Sequence, residues 1–166
     1  MLTPTLPADE PERLAALREL LLLDTPPEAR FDRIVQFAAA EFDVPIALLS
    51  LVDAERQWFK AKVGLDVCET SREVSFCAHA ISREGLFVIE DALADERFFD
   101  NPLVTGAPAI RFYAGAPLRL AAGTSAVGTL CLIDLVPRTL DATDHAILRS
   151  LRDLAVEELR ARADSR

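Results

Sequence analysis

From Ile46 to Asp53 the chain reads as a strand, apolar on both faces, with Ser50 the one polar position before the closing Asp53. A strand that is apolar on both faces belongs inside a covered sheet. Gln57 to Val63 behaves differently: Phe59, Ala61 and Val63 alternate with Trp58, Lys60 and Lys62. That is the two-residue period of a strand with one wet face. Further on, Phe112, Ala114, Ala116, Leu118 and Leu120 alternate with Arg111, Tyr113, Gly115, Pro117 and Arg119. Val127, Thr129, Cys131 and Ile133 share one face of the next strand, and Leu130 and Leu132 make its other face apolar. The link Ala121 to Ser125 is short and small, so these two stretches predict an antiparallel hairpin. Gly115 and Pro117 suit a central strand poorly and predict a bulge or a free edge. Leu86 to Glu90 adds a short strand.

Helical spacing fills most of the remainder. Pro11 to Leu23 repeats Leu14, Leu17 and Leu21, and Leu20 to Leu23 is apolar all round. Thr25 with Glu28 fits a capping box, with Pro26 at the tolerated first position. The helix this cap predicts runs to about Phe42 on a stripe of Phe31, Ile34, Val35, Ala38 and Phe42. Asp66 to Arg72 reads as a polar loop, and Val74 to Ser82 as a short helix. Asp91 to Ile110 is a long irregular stretch, of the kind that is usually functional or mobile. After Pro137, Asp141 or Thr139 caps a last helix to about Arg162, with Leu148, Leu151, Ala155 and Leu159 on one side.

The 166 residues, 51% of them hydrophobic, suffice for one domain with a filled core. A net charge of −9 argues against a nucleic-acid partner, because phosphate binding needs a basic face. No apolar run is long enough to span a membrane, and the first residues lack a secretory pattern. Three cysteines without a CxxC argue against a disulfide framework or zinc site, so a cytoplasmic setting is expected.

Few residues offer chemistry. Cys77 and His79 are two apart, a spacing at which helix side chains do not face each other. Cys77 therefore reads as a small buried hydrophobe, and His79 as a helix residue bonded to a nearby group. His145 is distant, so no multi-histidine metal site is expected. Arg97 and Arg111 could hold an anion or form ordinary ion pairs. Trp58 shares its alternating face with two lysines and predicts partial exposure.

The runs FYAGAPL and GTLCLID resemble the closing hairpin of a GAF domain, the small sensory module of bacterial signalling proteins. FDVPIALLSLVD and WFKAKVGL resemble its opening strands, and SFCAHAI the helix over its pocket. The resemblance covers roughly Phe31 to Leu159. It implies an α/β fold with a central antiparallel sheet of five or six strands in the order 2-1-5-4-3. Terminal helices lie on one face, and loops with a short helix roof the other. Residues 1–24 would be an extension and helix, 25–160 the domain, and 161–166 a tail. The pocket between sheet and roof would be lined by Phe76, Cys77, His79, Phe98, Asn101, Arg111, Tyr113 and Cys131.

The implied function is sensing: a small ligand or partner shifts the arrangement of the terminal helices. No catalytic residue and no cofactor is expected. Bilin-binding relatives carry adjacent Cys-His, whereas this chain has Cys77-Ala78-His79. The pattern of cyclic-nucleotide GAF domains is absent; Asp95-Glu96-Arg97-Phe98 and Asn101 do not reproduce it. A lone pocket histidine argues against haem. Free methionine-(R)-sulfoxide reductase is the enzymatic alternative. Cys68 and Cys77 match two of its cysteines, but Asp91 to Ile110 holds no third. A scaffold module with an empty pocket is another alternative. The leucine surplus of the first helix and the stripe on the last predict a homodimer through the terminal helices, with a signalling effector as a further partner.

Overall fold

The structure is a computed structural model and describes residues 1–165. Six strands form one antiparallel sheet: β1 (Ile46–Val52), β2 (Arg56–Val63), β3 (Glu69–Ser71), β4 (Phe87–Ile89), β5 (Phe112–Leu118) and β6 (Gly128–Asp134). Their order is β3-β2-β1-β6-β5-β4. The five strands read from the sequence stand in the implied order. The sixth, β3, occupies part of the expected polar loop and pairs Glu69–Ser71 with the start of β2.

Helices α2 (Ala29–Phe42) and α5 (Ala142–Asp164) pack side by side on one face of the sheet. The other face carries α3 (Phe76–Ala80), with α4 (Pro102–Thr105) in the long segment before β5. Alternation along the strands divides the interior. Ala47, Leu49, Leu51, Leu130 and Leu132 join α2 and α5 in one cluster. Ile46, Leu48, Val52, Cys131, Ile133 and Tyr113 join the roof residues Phe76, Ile81 and Phe98 in the second.

The wet face expected on β2 does not exist. Ser50 pairs with Phe59 and Leu49 with Ala61, so Lys60 is the extra residue of a bulge. The inserted residue breaks the two-residue period. Trp58 and Ala61 therefore both reach the α2–α5 side, while Phe59 reaches the roof side. Trp58 is buried, and the Lys60 ammonium is buried with it.

Corrections also fall at the N-terminal end. α1 spans only Glu10–Glu19, and the chain then turns with Leu21 and Asp24 at positive φ. Leu17, Leu20 and Leu22 are buried within the chain, while Leu21 faces solvent. The leucine surplus is thus largely absorbed by one copy. α2, not α1, lies beside α5. α1 crosses the sheet end: Arg13 donates to the Ala126 carbonyl (3.4 Å), and Arg72 pairs with Glu10 (2.5 Å). The Thr25–Glu28 capping box does not form. Thr25 donates to the Leu22 carbonyl, and Glu28 turns to Lys60 and Arg162 instead. At α5 the expected Asp141 cap is present, closed reciprocally by Asp144.

Gly115 and Pro117 mark no bulge. Pro117 pairs with Thr129 on the β6 side, and β4 stops opposite Gly115, so that side of Pro117 has no partner strand. A Cβ on Gly115 would lie 2.3 Å from the Tyr113 hydroxyl oxygen. The glycine makes room for that ring along its own strand.

Candidate functional site

The largely apolar cavity of about 360 Å³ between sheet and roof lies within the usual range of small-molecule sites. Its floor is Leu48 of β1, Gln57 and Phe59 of β2, Tyr113 of β5 and Ile133 of β6. α3 contributes Phe76 and Cys77, and the rim is formed by 64–67, Thr70, Leu103, Ala107, Pro108 and Ile110.

Three elements are pinned together beside the cavity by one amide. Gln57 Oε1 accepts from Ser50 Oγ (3.2 Å) and Ser75 Oγ (2.7 Å). Its Nε2 donates to Thr70 Oγ1 (2.6 Å). Ser75 also caps α3, accepting from the Ala78 amide at 3.1 Å. A buried amide satisfied in this way positions the roof helix over the sheet.

Cys77 follows directly in α3, and polar groups of β5 and β6 surround its sulfur. Thr129 Oγ1 donates to it at 3.0 Å and the Tyr113 hydroxyl at 3.2 Å. The Cys131 sulfur lies 3.9 Å away. Burial opposes ionisation of Cys77, but hydrogen bonds led by those from Cys131, Thr129 and Tyr113 outweigh it and bring the thiol down to about 6. The interaction with Cys77, together with burial, pushes Cys131 up, so it remains the thiol of the pair. Burial and the neighbouring thiols also hold Tyr113 protonated.

Of the eight residues expected to line a pocket, Phe76, Cys77 and Tyr113 do so. Cys131 lies behind Cys77. Phe98 stacks on Phe76 from the roof side, with centroids 4.1 Å apart. His79 meets the edge of Phe98 (4.9 Å), and burial lowers its basicity against a hydrogen bond that it donates to the Leu2 backbone carbonyl. Asn101 caps α4 and donates to the Val74 carbonyl at 3.1 Å, tying the long segment to the roof. Arg111 braces that segment by donating to the Val104 and Ile110 carbonyls, both at 3.0 Å. Arg97 pairs with Asp95 (2.7 Å). Among the described residues, no lysine or arginine lines the cavity.

The sequence pattern does not single out Leu48, Phe59, Leu103, Ile110 and Ile133, which look like core, nor Gln57. The available signal is Gln57, an uncharged amide near the start of β2. Cys68 is exposed on the loop beside the rim, 3.9 Å from Lys62 Nζ. Among the described residues, no group of three or more His, Cys, Asp or Glu could hold a metal, and no helix is long and apolar enough to cross a membrane.

Solved structures share this architecture. A free methionine-R-sulfoxide reductase from Neisseria meningitidis matches with a TM-score of 0.67 at 17% identity, over 100% of each chain. The GAF domain of a phosphoenolpyruvate-protein phosphotransferase from Coxiella burnetii matches with 0.65 at 17% identity, over 92% of this chain and 96% of that one. At these identities the likeness concerns the fold. A cyclic di-GMP phosphodiesterase of Pseudomonas aeruginosa is 46% identical over 160 residues, covering 96% of this chain. The chain spans only 27% of that relative's length. Residues 26–159 match the sequence profile of the GAF domain, and the chain belongs to the GAF family.

Proposed function

We propose that this chain is a sensory domain that binds a small, uncharged, largely apolar molecule between sheet and roof and passes the change to its terminal helices. The observation that carries this reading is the cavity of about 360 Å³, apolar but for Gln57, Thr70, Cys77, Tyr113 and the rim carboxylate Asp66. A neutral ligand is favoured because no basic side chain among the described residues lines the cavity and an unpaired buried anion is costly. The anion role considered for Arg111 has no support in its carbonyl bonds.

The relative's name places a related segment within a cyclic di-GMP phosphodiesterase. The output proposed here is accordingly control of a neighbouring signalling activity in the cytoplasm, not catalysis by the cavity. A reductase reading is disfavoured because 91–110, which supplies α4 and part of the rim, holds no cysteine. A homodimer remains part of the proposal, now through the outer face of α2 and α5, where Phe37 and Leu154 are each at least half exposed.

The test is titration with the uncharged fluorophore 1-aminoanthracene, alongside native mass spectrometry of freshly purified protein. The expected result is saturable binding that Leu48→Trp abolishes by filling the cavity. No binding to the wild type, or binding unchanged in the filled variant, overturns the reading. Sedimentation equilibrium of the wild type and Leu154→Glu tests the dimer; a monomeric wild type removes it.

A further inference from the structure

We infer that Cys77 and Cys131 form a peroxide-reactive dithiol, and that the cavity delivers an apolar organic hydroperoxide to it. This rests on reading the cavity as a ligand site. It adds a chemistry that simple binding does not require.

Four geometric facts carry the inference. Cys77 is one of the residues that line the cavity, which sets it beside any molecule held there. Two hydroxyls, Thr129 at 3.0 Å and Tyr113 at 3.2 Å, donate to that sulfur. A neutral thiol is a weak acceptor, whereas a thiolate is a strong one, so this arrangement favours the nucleophilic form. A second thiol, Cys131, stands 3.9 Å behind the first. Finally, Gly115 leaves the space that the Tyr113 hydroxyl needs to reach the sulfur. Cys68, by contrast, is exposed and outside this cluster.

The chemistry balances in two steps. The Cys77 thiolate attacks the distal oxygen of the hydroperoxide. An S–O bond forms, the O–O bond breaks, and the alkoxide leaves. It takes up a proton from solvent, equal to the one the thiol released on ionising, and departs as the alcohol. Cys77 is now a sulfenic acid. The Cys131 sulfur then attacks the Cys77 sulfur, the S–O bond breaks, the S–S bond forms, and the oxygen leaves as water with the Cys131 proton. The two thiols lose two electrons, and the hydroperoxide gains them. A disulfide S–S bond is about 2.05 Å long, so the sulfurs must close from near contact to bonding distance. The bond would fasten α3 to β6 across the end of the cavity. Oxidation would thereby hold the roof on the sheet, and a dithiol reductant would release it.

The full chain, reduced and freed of oxygen, is treated separately with cumene hydroperoxide and hydrogen peroxide. Remaining thiols are then alkylated in denaturant, and the intact mass and linked peptides are read. The expected product has lost two hydrogens, contains a Cys77–Cys131 linked peptide, and has Cys68 alkylated. Cumene hydroperoxide should react roughly tenfold faster or more than hydrogen peroxide, since burying several extra carbons favours its entry. Saturating 1-aminoanthracene should slow it. Cys131→Ser should stop at a Cys77 sulfenic acid trapped by dimedone, and Cys68→Ser should react as wild type.

Oxidation confined to Cys68, or Cys77 oxidised onward while wild-type Cys131 stays free, overturns the proposal. Equal rates for the two peroxides, unaffected by the fluorophore, overturn delivery through the cavity. Fluorophore binding without any linked peptide refutes the dithiol chemistry alone and leaves the ligand-binding reading standing. Peptide mapping of the wild type decides the matter even if a cysteine variant fails to fold.

Discussion

The Lys60 ammonium lies 2.7 Å from the Glu28 carboxylate, and its side chain has no solvent exposure, although strand alternation places it on a wet face. The same nitrogen donates to Thr25 Oγ1 (2.8 Å) and the Pro26 carbonyl (2.6 Å), which uses its donors fully. Glu28 also accepts from Arg162 Nε near the end of α5, at 3.0 Å. One carboxylate therefore joins the β2 bulge, the start of α2 and the terminal helix. Phe59, the neighbour of Lys60, faces the cavity.

Removing Lys60 leaves Glu28 paired with Arg162, so the loss is set mainly by the buried side-chain volume, about 2 kcal/mol or more. Lys60→Ala is expected to lose that amount in urea unfolding, and Lys60→Met clearly less, because it keeps the buried volume. Glu28→Gln should speed amide hydrogen exchange near Arg162 while sparing β5 and β6. If exchange near Arg162 is unchanged, the junction does not hold the terminal helix.

A second ionic cluster sets the acid limit. Burial would raise the Glu10 carboxyl, but hydrogen bonds from Arg13 and Arg72 hold it down to about 2 from its ordinary 4.5. The unfolded chain binds this proton more readily than the folded one. The contribution is complete above about pH 4.5 and is lost as pH falls towards about 2. Its ceiling is about 3 kcal/mol, at 1.36 kcal/mol per pH unit. Urea unfolding repeated across this range should show stability falling with pH, and Glu10→Gln should flatten the fall. An equally steep fall in the variant would assign the acid sensitivity to other groups.

Much of the architecture is written in periodicity. β1, β5 and β6 are continuous apolar runs, and pairing the last two as a hairpin follows from the small link between them. The bulge at Lys60 was not legible, because one inserted residue makes a two-faced apolar strand look half wet. The α1 leucines misled for a related reason. A leucine run states how much surface must be covered, not whether a second copy or a turn in the same chain covers it. At the site, Phe76, Cys77 and Tyr113 stood in recognisable motifs. Leu48, Phe59 and Ile133 became cavity walls only through the spacing of roof and sheet, which no local pattern encodes. Arg111 and Asn101 looked functional because they are polar in a long loop, yet their hydrogen bonds are spent on backbone carbonyls and a helix cap.

The Tyr113 hydroxyl and the hydrogen of Gly115 share a space that cannot hold a methyl group. A Cβ at Gly115 would also stand 2.8 Å from two ring carbons of Tyr113. The ring is fully buried and its hydroxyl is bonded to Cys77, so it cannot swing aside into solvent. Gly115→Ala should therefore cost about 1–3 kcal/mol in urea unfolding, the range for an overpacked core. It should also move the hydroxyl off the sulfur. Tyr113→Phe separates the two effects, since it removes the hydroxyl and keeps the ring. Both variants should raise the Cys77 pKa from about 6, because one of the bonds that favours the thiolate is lost. The measurement is thiolate ultraviolet absorbance against pH in a Cys68→Ser background, which leaves the buried pair as the titrating thiols. Tyr113→Phe should shift the curve upward with little loss of stability, and Gly115→Ala should do both. An unshifted curve in Tyr113→Phe would show that the hydroxyl does not tune the sulfur.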